Sequence, residues 1–444
     1  MDQDVEFTRE DLVRARDRWR VERVRQAGGR RNRLLLLWML IGPGILVMLG
    51  ENDGPSMISY AATGSQFGVG FFIPFVVATF AMAFVVQEMT VRLGAVTHRG
   101  HAELIFERFG PFWGRFAMGD LVLSNLLTLV TEFIAIQAGL GFFGVPPLVS
   151  VSAAFGVVAV ASATRRYWSW ERLVLGLAIF NALFVPVALM AHPDFGQVGH
   201  ALLTWQPFPG RLSMGTLTVL LADIGATVTP WMLFFQQGAV TDKGLNSRDI
   251  RMGRIDTALG GALAALFAVA AIVATAPLFR HHVNAAQLGA AQFAQALLPY
   301  VGHVGAALFA LGIFEAGLVA AVAISTSSGY AYGEVSGKAH SLNRSILEAK
   351  GFYMVLLGSA ALAAVLVLIP GAPLEAIVLL VNVVAVLTMP PALVLLFMLV
   401  NDREIMGAHA NRLASNLAGG LVVVFITAAG IFYGLTAVFS SLHV

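Results

Sequence analysis

The chain of 444 residues contains no cysteine, and only 12% of its residues are charged. The absence of cysteine excludes disulfides, thiolate metal ligands and thiol nucleophiles. The low charge, together with 57% hydrophobic residues and a mean hydropathy of +0.77, excludes an ordinary soluble domain. The sequence also lacks a Ser-His-Asp order, an H-E-x-x-H motif and a phosphate-binding loop, so it indicates no enzyme.

Apolar segments long enough to cross a hydrocarbon core of about 30 Å occupy nearly the whole chain. We count eleven: 34–62, 70–95, 114–143, 147–163, 171–191, 213–240, 256–279, 301–333, 351–370, 373–400 and 413–440. Lipid offers the backbone no hydrogen-bonding partners, so each segment is predicted to be a helix. The sequence therefore predicts an all-α polytopic membrane protein, with an arginine-rich tail at 1–33 and a transmembrane domain at 34–444.

The distribution of basic residues predicts the orientation in the membrane. If the tail is cytoplasmic, the connections on its side hold most of the lysines and arginines of the transmembrane domain: Arg92, Arg99, Arg108, Arg115, Arg165, Arg166, Arg172, Lys243, Arg248, Arg251, Arg254, Lys338, Arg344, Lys350, Arg403 and Arg412. The opposite connections hold little beyond Arg211 and Arg280. The positive-inside rule thus predicts a cytoplasmic N-terminus and an outside C-terminus in the plasma (inner) membrane. Within the tail, Thr8 and the acidic residues after it predict a surface helix over 8–26.

Two of the apolar segments are interrupted at their centres, by E-N-D-G-P-S at 51–56 and by T-V-T-P-W at 227–231. A proline lacks its N–H and clashes with the carbonyl four residues earlier, so Pro55 and Pro230 predict breaks in both helices. Asp53 places a carboxylate inside an apolar stretch, which costs ~2.5–3.5 kcal/mol and marks a functional site by default. Unwound helix centres of this kind form the substrate sites of secondary transporters.

The two interruptions begin successive groups of five spans, at about 34–191 and 213–400, and leave 413–440 as an extra helix. A repeat with an odd number of spans has inverted topology, so both interruptions are expected at one pseudo-twofold interface. The pattern therefore predicts a carrier of a hard cation.

The residues around both interruptions resemble a known family, the Nramp metal transporters. Its first span is similar to G-P-G-I-L-V-M-L-G-E-N-D-G-P-S-M-I-S-Y-A-A-T-G-S-Q-F-G at 42–68, and its sixth span is similar to G-A-T-V-T-P-W-M at 225–232. Further resemblance lies in R-L-G-A-V-T at 92–97, W-E-R-L-V-L-G-L at 170–177 and N-D-R-E-I-M-G at 401–407, so it covers nearly the whole chain. The resemblance implies a LeuT-type 5+5 inverted repeat with broken helices 1 and 6 and an eleventh transmembrane helix.

Four departures from the family pattern concern the metal site. Members for manganese and iron have methionine where Thr229 stands, asparagine for Ser56, glutamine for Asn382 and histidine for Trp231. A thioether favours transition metals, whereas hydroxyl, carbonyl and carboxylate oxygens suit Mg²⁺. This pattern looks like the Nramp-related magnesium transporters, a distinct branch.

The resemblance implies a site with Asp53 as charged anchor and with Ser56, the Ala226 carbonyl, Thr229 and Asn382 as direct or water-mediated ligands. Mg²⁺ prefers six oxygens and loses its waters reluctantly, so we expect a partly hydrated ion. Mg²⁺ is then a transported substrate rather than a cofactor, with Mn²⁺ as the alternative. The expected partners are this divalent ion and membrane lipid, without nucleic acid, and the protein is expected to be a monomer.

Three further residues are candidate accessory groups. Glu51 adds a second carboxylate near the path or faces a vestibule as a solvated group. Glu132 matches a glutamate that moves protons in transition-metal members, but the acid one turn earlier there is Leu129 here. Trp231 replaces the histidine and either walls off the proton route or fills space. The resemblance therefore implies weak or no proton coupling.

Other functions stay open at this stage. A proton-coupled Mn²⁺ or Fe²⁺ transporter is favoured if the sulfur of Met57 or Met232 points into the site. A LeuT-type carrier of an organic substrate is disfavoured because Asp53 would repel a substrate carboxylate. A slow channel resembles a downhill carrier in sequence, and the inverted repeat favours the carrier.

Overall fold

The computed structural model describes residues 9–208, 213–283, 288, 290–371 and 374–441. Its regular structure is helical, as the sequence predicts. The α-helices are α1 Arg9–Ala27, α2 Gly29–Leu40, α3 Pro43–Gly50, α4 Gly54–Phe67, α5 Phe72–Thr97, α6 His101–Phe109, α7 Pro111–Gly141, α8 Pro147–Ser162, α9 Tyr167–Ala178, α10 Phe184–Met190, α11 Phe195–Thr204, α12 Met214–Gly225, α13 Pro230–Lys243, α14 Ile250–Arg280, α15 Ala290–Ser336, α16 Lys350–Val367, α17 Leu374–Asn401, α18 Arg403–Met406 and α19 Leu413–Ser441.

The chain is an integral, multi-pass membrane protein. In the described part, nine helices are long and apolar enough to cross a membrane, or ten if the bent pair of α2 and α3 counts as one span. The predicted segment 147–163 is the shorter helix α8, which has 16 residues. The count of eleven spans and the domain boundaries stay predictions.

Helix α14 packs closely along α3 and α4, and glycines make this approach possible. A Cβ atom at Gly260 would lie 2.7 Å from the Cα of Ile45, and one at Gly64 would lie 2.1 Å from the carbonyl oxygen of Ile272. Small residues at such contacts let membrane helices approach at backbone distance. The two halves of the first interrupted segment are therefore both held against α14.

The start of α3 is fixed to α14 by one buried carboxylate. Asp256 accepts hydrogen bonds from the backbone N–H groups of Gly42 at 3.0 Å, Gly44 at 2.6 Å and Ile45 at 3.2 Å. The first N–H groups of a helix have no partner within the helix, and a carboxylate there also interacts favourably with the helix dipole. Asp256 of α14 therefore caps the start of α3, where the N-cap residue is a glycine and has no capping side chain.

Helix α1 is described from Arg9, since Thr8 at the start of the predicted helix lies outside the described residues, and it lies against the bundle through one face. Arg14 pairs with Asp242 at 2.9 Å, Arg25 pairs with Asp249, and Asp17 pairs with Arg166. These partners belong to the end of α13, the turn before α14 and the turn before α9. We call this end of the bundle the tail side. The arginine-rich tail is therefore bound to several parts of the bundle.

Candidate metal centre

Two interruptions of helical structure lie where the sequence predicts them. Helix α3 ends at Gly50 and α4 begins at Gly54, while α12 ends at Gly225 and α13 begins at Pro230. Pro55 lies in the first turn of α4, and Pro230 is the first residue of α13. A missing N–H costs nothing at these positions, and the fixed φ of proline suits them. Both prolines therefore mark where the second helix of each pair begins.

Asp53 is the N-cap of α4. One carboxylate oxygen accepts a hydrogen bond from the N–H of Ser56 at 2.8 Å, and the side chain is 1% exposed. An aspartate at this position satisfies an N–H group at the helix start, which fixes its own orientation as well. The hydroxyl oxygen of Ser56 is buried and has no hydrogen-bonding partner in the described part. The predicted anchor and one predicted ligand therefore lie together, with the hydroxyl near the Asp53 carboxyl group.

Glu51 connects the two interruptions. The hydroxyl of Thr229 donates to this carboxyl group, with Oγ1 at 2.8 Å from Oε1 and 3.1 Å from Oε2. Glu51 is fully buried and Thr229 is 3% exposed. Sequence analysis left Glu51 either as a second carboxylate near the ion path or as a solvated group in a vestibule. Its burial in this structure contradicts the solvated alternative. In this structure the side chain does not reach solvent, and the carboxyl group contacts a predicted ligand of the other segment.

Glu132 reaches the first interruption from α7. One carboxyl oxygen accepts a hydrogen bond from the N–H of Gly54 at 3.0 Å, and the other is buried and accepts no hydrogen bond in the described part. The carboxyl groups of Glu132 and Asp53 are within hydrogen-bonding reach of each other. A Cβ atom at Gly54 would lie 2.2 Å from that of Ala135, so glycine allows α7 this close approach.

The carbonyl of Ala226, a predicted ligand, already has one partner. The hydroxyl of Tyr60 lies 3.3 Å from this oxygen and 3.0 Å from the hydroxyl of Thr227. A carbonyl oxygen has two lone pairs, so one remains for a metal ion. Sequence analysis did not identify Tyr60 as a residue of this site. Its position two turns after Asp53 in an apolar helix could have indicated that its hydroxyl faces the second interruption.

A second contact between the two segments lies one turn before the second interruption. Thr63 of α4 donates to the carboxyl group of Asp223 in α12, with distances of 3.0 and 3.1 Å to the two oxygens. Both side chains are fully buried. Asp223 therefore has the structural hydrogen bond that is usual for a buried polar group between membrane helices.

Trp231 fills the contact between α3 and α13. A Cβ atom at Gly50 would lie 2.9 Å from its indole ring, and the ring centroid of Phe235 is 5.8 Å away. The indole N–H is buried and has no partner in the described part. The side chain therefore closes the space between the end of one helix and the start of the next.

A sulfur atom also lies at the second interruption. The N–H of Thr229 points to the sulfur of Met232 at 3.4 Å, and Met232 and Met57 are both fully buried in the hydrophobic core. Asn382 belongs to α17, and its side chain lies outside the described residues. No group of three or more His, Asp or Glu side chains in the described part is arranged to hold a metal by itself. A bound ion would therefore need hydroxyl or backbone oxygens as well.

Together, the fold and the site define a class of protein. Carboxyl groups and buried hydroxyls meet where two membrane helices are interrupted, as in LeuT-type transporters. The fold is similar to that of a manganese transporter of Eremococcus coleocola, solved with an aromatic bis-isothiourea substituted compound. The TM-score is 0.74 at 18% identity, over 91% of this chain and 88% of that chain. It is also similar to MhsT in complex with L-phenylalanine, with a TM-score of 0.61 at 14% identity, over 89% and 98% of the two chains. The LeuT-type fold is thus confirmed.

Sequence comparisons give the family. Residues 44–436 match the family Nramp, described as natural resistance-associated macrophage protein-like. The divalent metal cation transporter MntH 1 of Pseudomonas aeruginosa is 30% identical over 316 residues, which cover 67% of this chain and 69% of that protein. MntH of Bacillus subtilis is 27% identical over 408 residues, covering 88% and 91%. The chain belongs to the Nramp family.

Proposed function

We propose that this protein is a divalent metal cation transporter that carries Mg²⁺ by alternating access. The observation that carries this proposal is the set of oxygen atoms at the two interruptions. Asp53 supplies the charge, and Ser56, the Ala226 carbonyl, Thr229 and Asn382 complete the proposed ligand set. The Ser56 hydroxyl beside Asp53 supports it, because this buried atom has no close hydrogen bond in the described part and an ion would give it one.

The proposed ligands favour a hard and partly hydrated ion. Mg²⁺ takes six oxygens at about 2.0–2.1 Å and usually keeps several waters. Serine and threonine are short, and they replace the longer asparagine and methionine of the family pattern. The site then leaves room for water between protein and ion.

The proposed transport runs downhill with weak or no proton coupling. Trp231 and Leu129 are fully or almost fully buried apolar side chains at two positions of the family's proton route, and only Glu132 keeps its acid there. The driving force is the Mg²⁺ gradient and an inside-negative potential, which contributes about 2.3 kcal/mol per charge per 100 mV. We place the protein in the plasma (inner) membrane as a monomer surrounded by lipid, with the tail side cytoplasmic and the C-terminus outside.

One observation favours a second candidate function, proton-coupled transport of Mn²⁺ or Fe²⁺. The sulfur of Met232 lies 3.4 Å from the backbone nitrogen of Thr229, beside a proposed ligand. A thioether favours transition metals. The relatives named MntH and the manganese transporter with the same fold also support this candidate.

Ion flux into proteoliposomes distinguishes the two functions. Purified protein is reconstituted with an internal Mg²⁺-sensitive dye and a pH probe, and Mn²⁺ uptake is measured in parallel. Mg²⁺ entry without acidification is expected. Mn²⁺ entry with acidification and no Mg²⁺ signal would establish the second candidate instead.

The proposed site is tested by one substitution in the same assay. Asp53→Ala is expected to abolish uptake of every divalent ion that the parent protein transports, because it removes the charged anchor. Gel filtration and thermal melting verify that the variant is folded. Retained transport by folded Asp53→Ala protein would rule out the proposed site.

A further inference from the structure

Glu51 has too few partners for a buried carboxylate. It lies in the three-residue connection between α3 and α4 and is fully buried. In the described part, the hydroxyl of Thr229 is its hydrogen-bond donor, at 2.8 Å from one oxygen and 3.1 Å from the other. A hydroxyl donates one proton, whereas an ionised carboxylate accepts about four hydrogen bonds. Most of its capacity is therefore unused.

The surroundings of Glu51 contain acids and no basic group. Asp53 and Glu132 are the nearby charges, and no lysine, arginine or histidine among the described residues pairs with any of these three groups. A buried charge is retained when it is paired or coordinates a metal. A cation bound at this point would supply the positive charge that these carboxyl groups need in order to be ionised.

Two buried oxygen atoms beside Asp53 give further evidence for a ligand at this place. The Ser56 hydroxyl and the second carboxyl oxygen of Glu132 have no close hydrogen bond in the described part, and both side chains lie near the Asp53 carboxyl group. Both belong to side chains that contact Asp53 or its hydrogen-bonded neighbours. A bound cation with its remaining waters would give both atoms partners.

We infer that Glu51 is a second carboxylate ligand of the transported divalent ion, and that Thr229 holds it beside the site when the ion is absent. The inference rests on the proposed transport of a divalent cation and deepens it. Glu51 and Asp53 together balance two positive charges, whereas a monovalent ion would leave one carboxylate unpaired. Glu51 therefore selects for divalent ions. It also joins the second interruption to the ion, because its hydrogen bond reaches Thr229.

A neutral substitution tests this role. Glu51→Gln removes the charge but keeps an oxygen that accepts the Thr229 hydroxyl, so a purely structural role for this hydrogen bond would survive. The Michaelis constant for Mg²⁺ or Mn²⁺, whichever the parent protein transports, is expected to rise at least tenfold in proteoliposomes. A Michaelis constant within twofold of the parent would overturn the inference.

A matched control comes from another buried glutamate. Glu315 is 4% exposed, and one of its oxygens accepts a hydrogen bond from the side-chain amide of Asn181 at 3.3 Å. Glu315→Gln makes the same chemical change on α15, at a carboxyl group that is hydrogen-bonded to Asn181 rather than to either interruption, and its Michaelis constant is expected to stay within twofold of the parent. An equal rise in both variants would mean that any buried glutamine impairs transport, and would refute the specific role of Glu51.

Glu51→Asp and the Asp53→Ala variant described above cover the cases in which Glu51→Gln alone does not decide the question. Glu51→Asp retains the charge with a shorter reach, and it is expected to raise the Michaelis constant less than Glu51→Gln does. If Glu51→Gln does not fold, a Glu51→Asp protein with the parent's Michaelis constant would overturn the inference. If Asp53→Ala abolishes uptake and Glu51→Gln is unaffected, this inference fails alone. If folded Asp53→Ala protein still transports, the proposed site itself fails.

Discussion

Asp256→Ala tests how strongly the start of α3 is fixed to the bundle. Three backbone N–H groups, those of Gly42, Gly44 and Ile45, donate to the Asp256 carboxylate at 2.6–3.2 Å. Asp256 is 1% exposed, so water cannot replace these bonds without a rearrangement. The substitution therefore leaves three N–H groups at a helix start without an acceptor.

The structure sets the size of the effect. A hydrogen bond to a charged group contributes about 1.5–3 kcal/mol, but three bonds that share one carboxylate do not add independently. Removing one partner of a buried ionic group costs about 3–5 kcal/mol. The Asp256 carboxylate also interacts with Lys243, whose ammonium group lies 2.7 Å from the carbonyl oxygen of Ile41. We therefore expect a loss of about 3–5 kcal/mol for Asp256→Ala and about 1–2 kcal/mol for Asp256→Asn, which keeps one acceptor.

Thermal melting of the detergent-solubilised protein measures this loss. If the entropy of unfolding scales with chain length, the midpoint falls by about 3–5 °C for Asp256→Ala. Asp120→Ala is the control, because Asp120 lies in α7 and has no hydrogen bond in the described part. A midpoint for Asp256→Ala equal to that of Asp120→Ala would show that this cap does not stabilise the protein.

Three other changes have expected outcomes. Thr229→Met should raise the affinity for soft ions such as Cd²⁺ in a competition uptake assay, because it adds a thioether; an unchanged affinity would place Thr229 outside the ion's ligands. Gly64→Ala should lower the thermal stability by about 1–3 kcal/mol, because the added carbon meets the carbonyl of Ile272 at 2.1 Å; an unchanged midpoint would show that the helices separate freely. The double change Arg14→Ala and Arg25→Ala should release α1 and speed its cleavage by trypsin at the remaining arginines, since two of its ion pairs are lost; an unchanged cleavage rate would show that these pairs do not hold the helix.

The interruptions could be predicted from sequence because their causes are local. Pro55 and Pro230 restrict the backbone wherever they occur, and Asp53 is a good N-cap by its chemistry alone. The apolar segments likewise predict which stretches lie in lipid, because the length and composition of each stretch are enough for that prediction. The site's position in the fold therefore follows from short stretches of sequence.

The partners within the site could not be predicted, because they depend on packing between distant segments. Glu51 and Thr229 are 178 positions apart, and Tyr60 lies 166 positions from Ala226. Sequence alone left Glu51 between a ligand and a solvated group, and burial among the helices decides against solvation.

The three residues that connect α3 to α4 form hydrogen bonds with different parts of the molecule. Asn52 donates to the carbonyl of Ala264 in α14 at 2.9 Å, and Asp53 accepts from Ser56 at the start of α4. These two residues fasten the connection to α14 and α4. Glu51 is the member of this connection whose hydrogen bond reaches the second interruption, through Thr229. In the proposed site, an ion that binds both Glu51 and Thr229 would replace this hydrogen bond and leave the other two intact, so ion binding would act directly on the contact between the two interrupted segments.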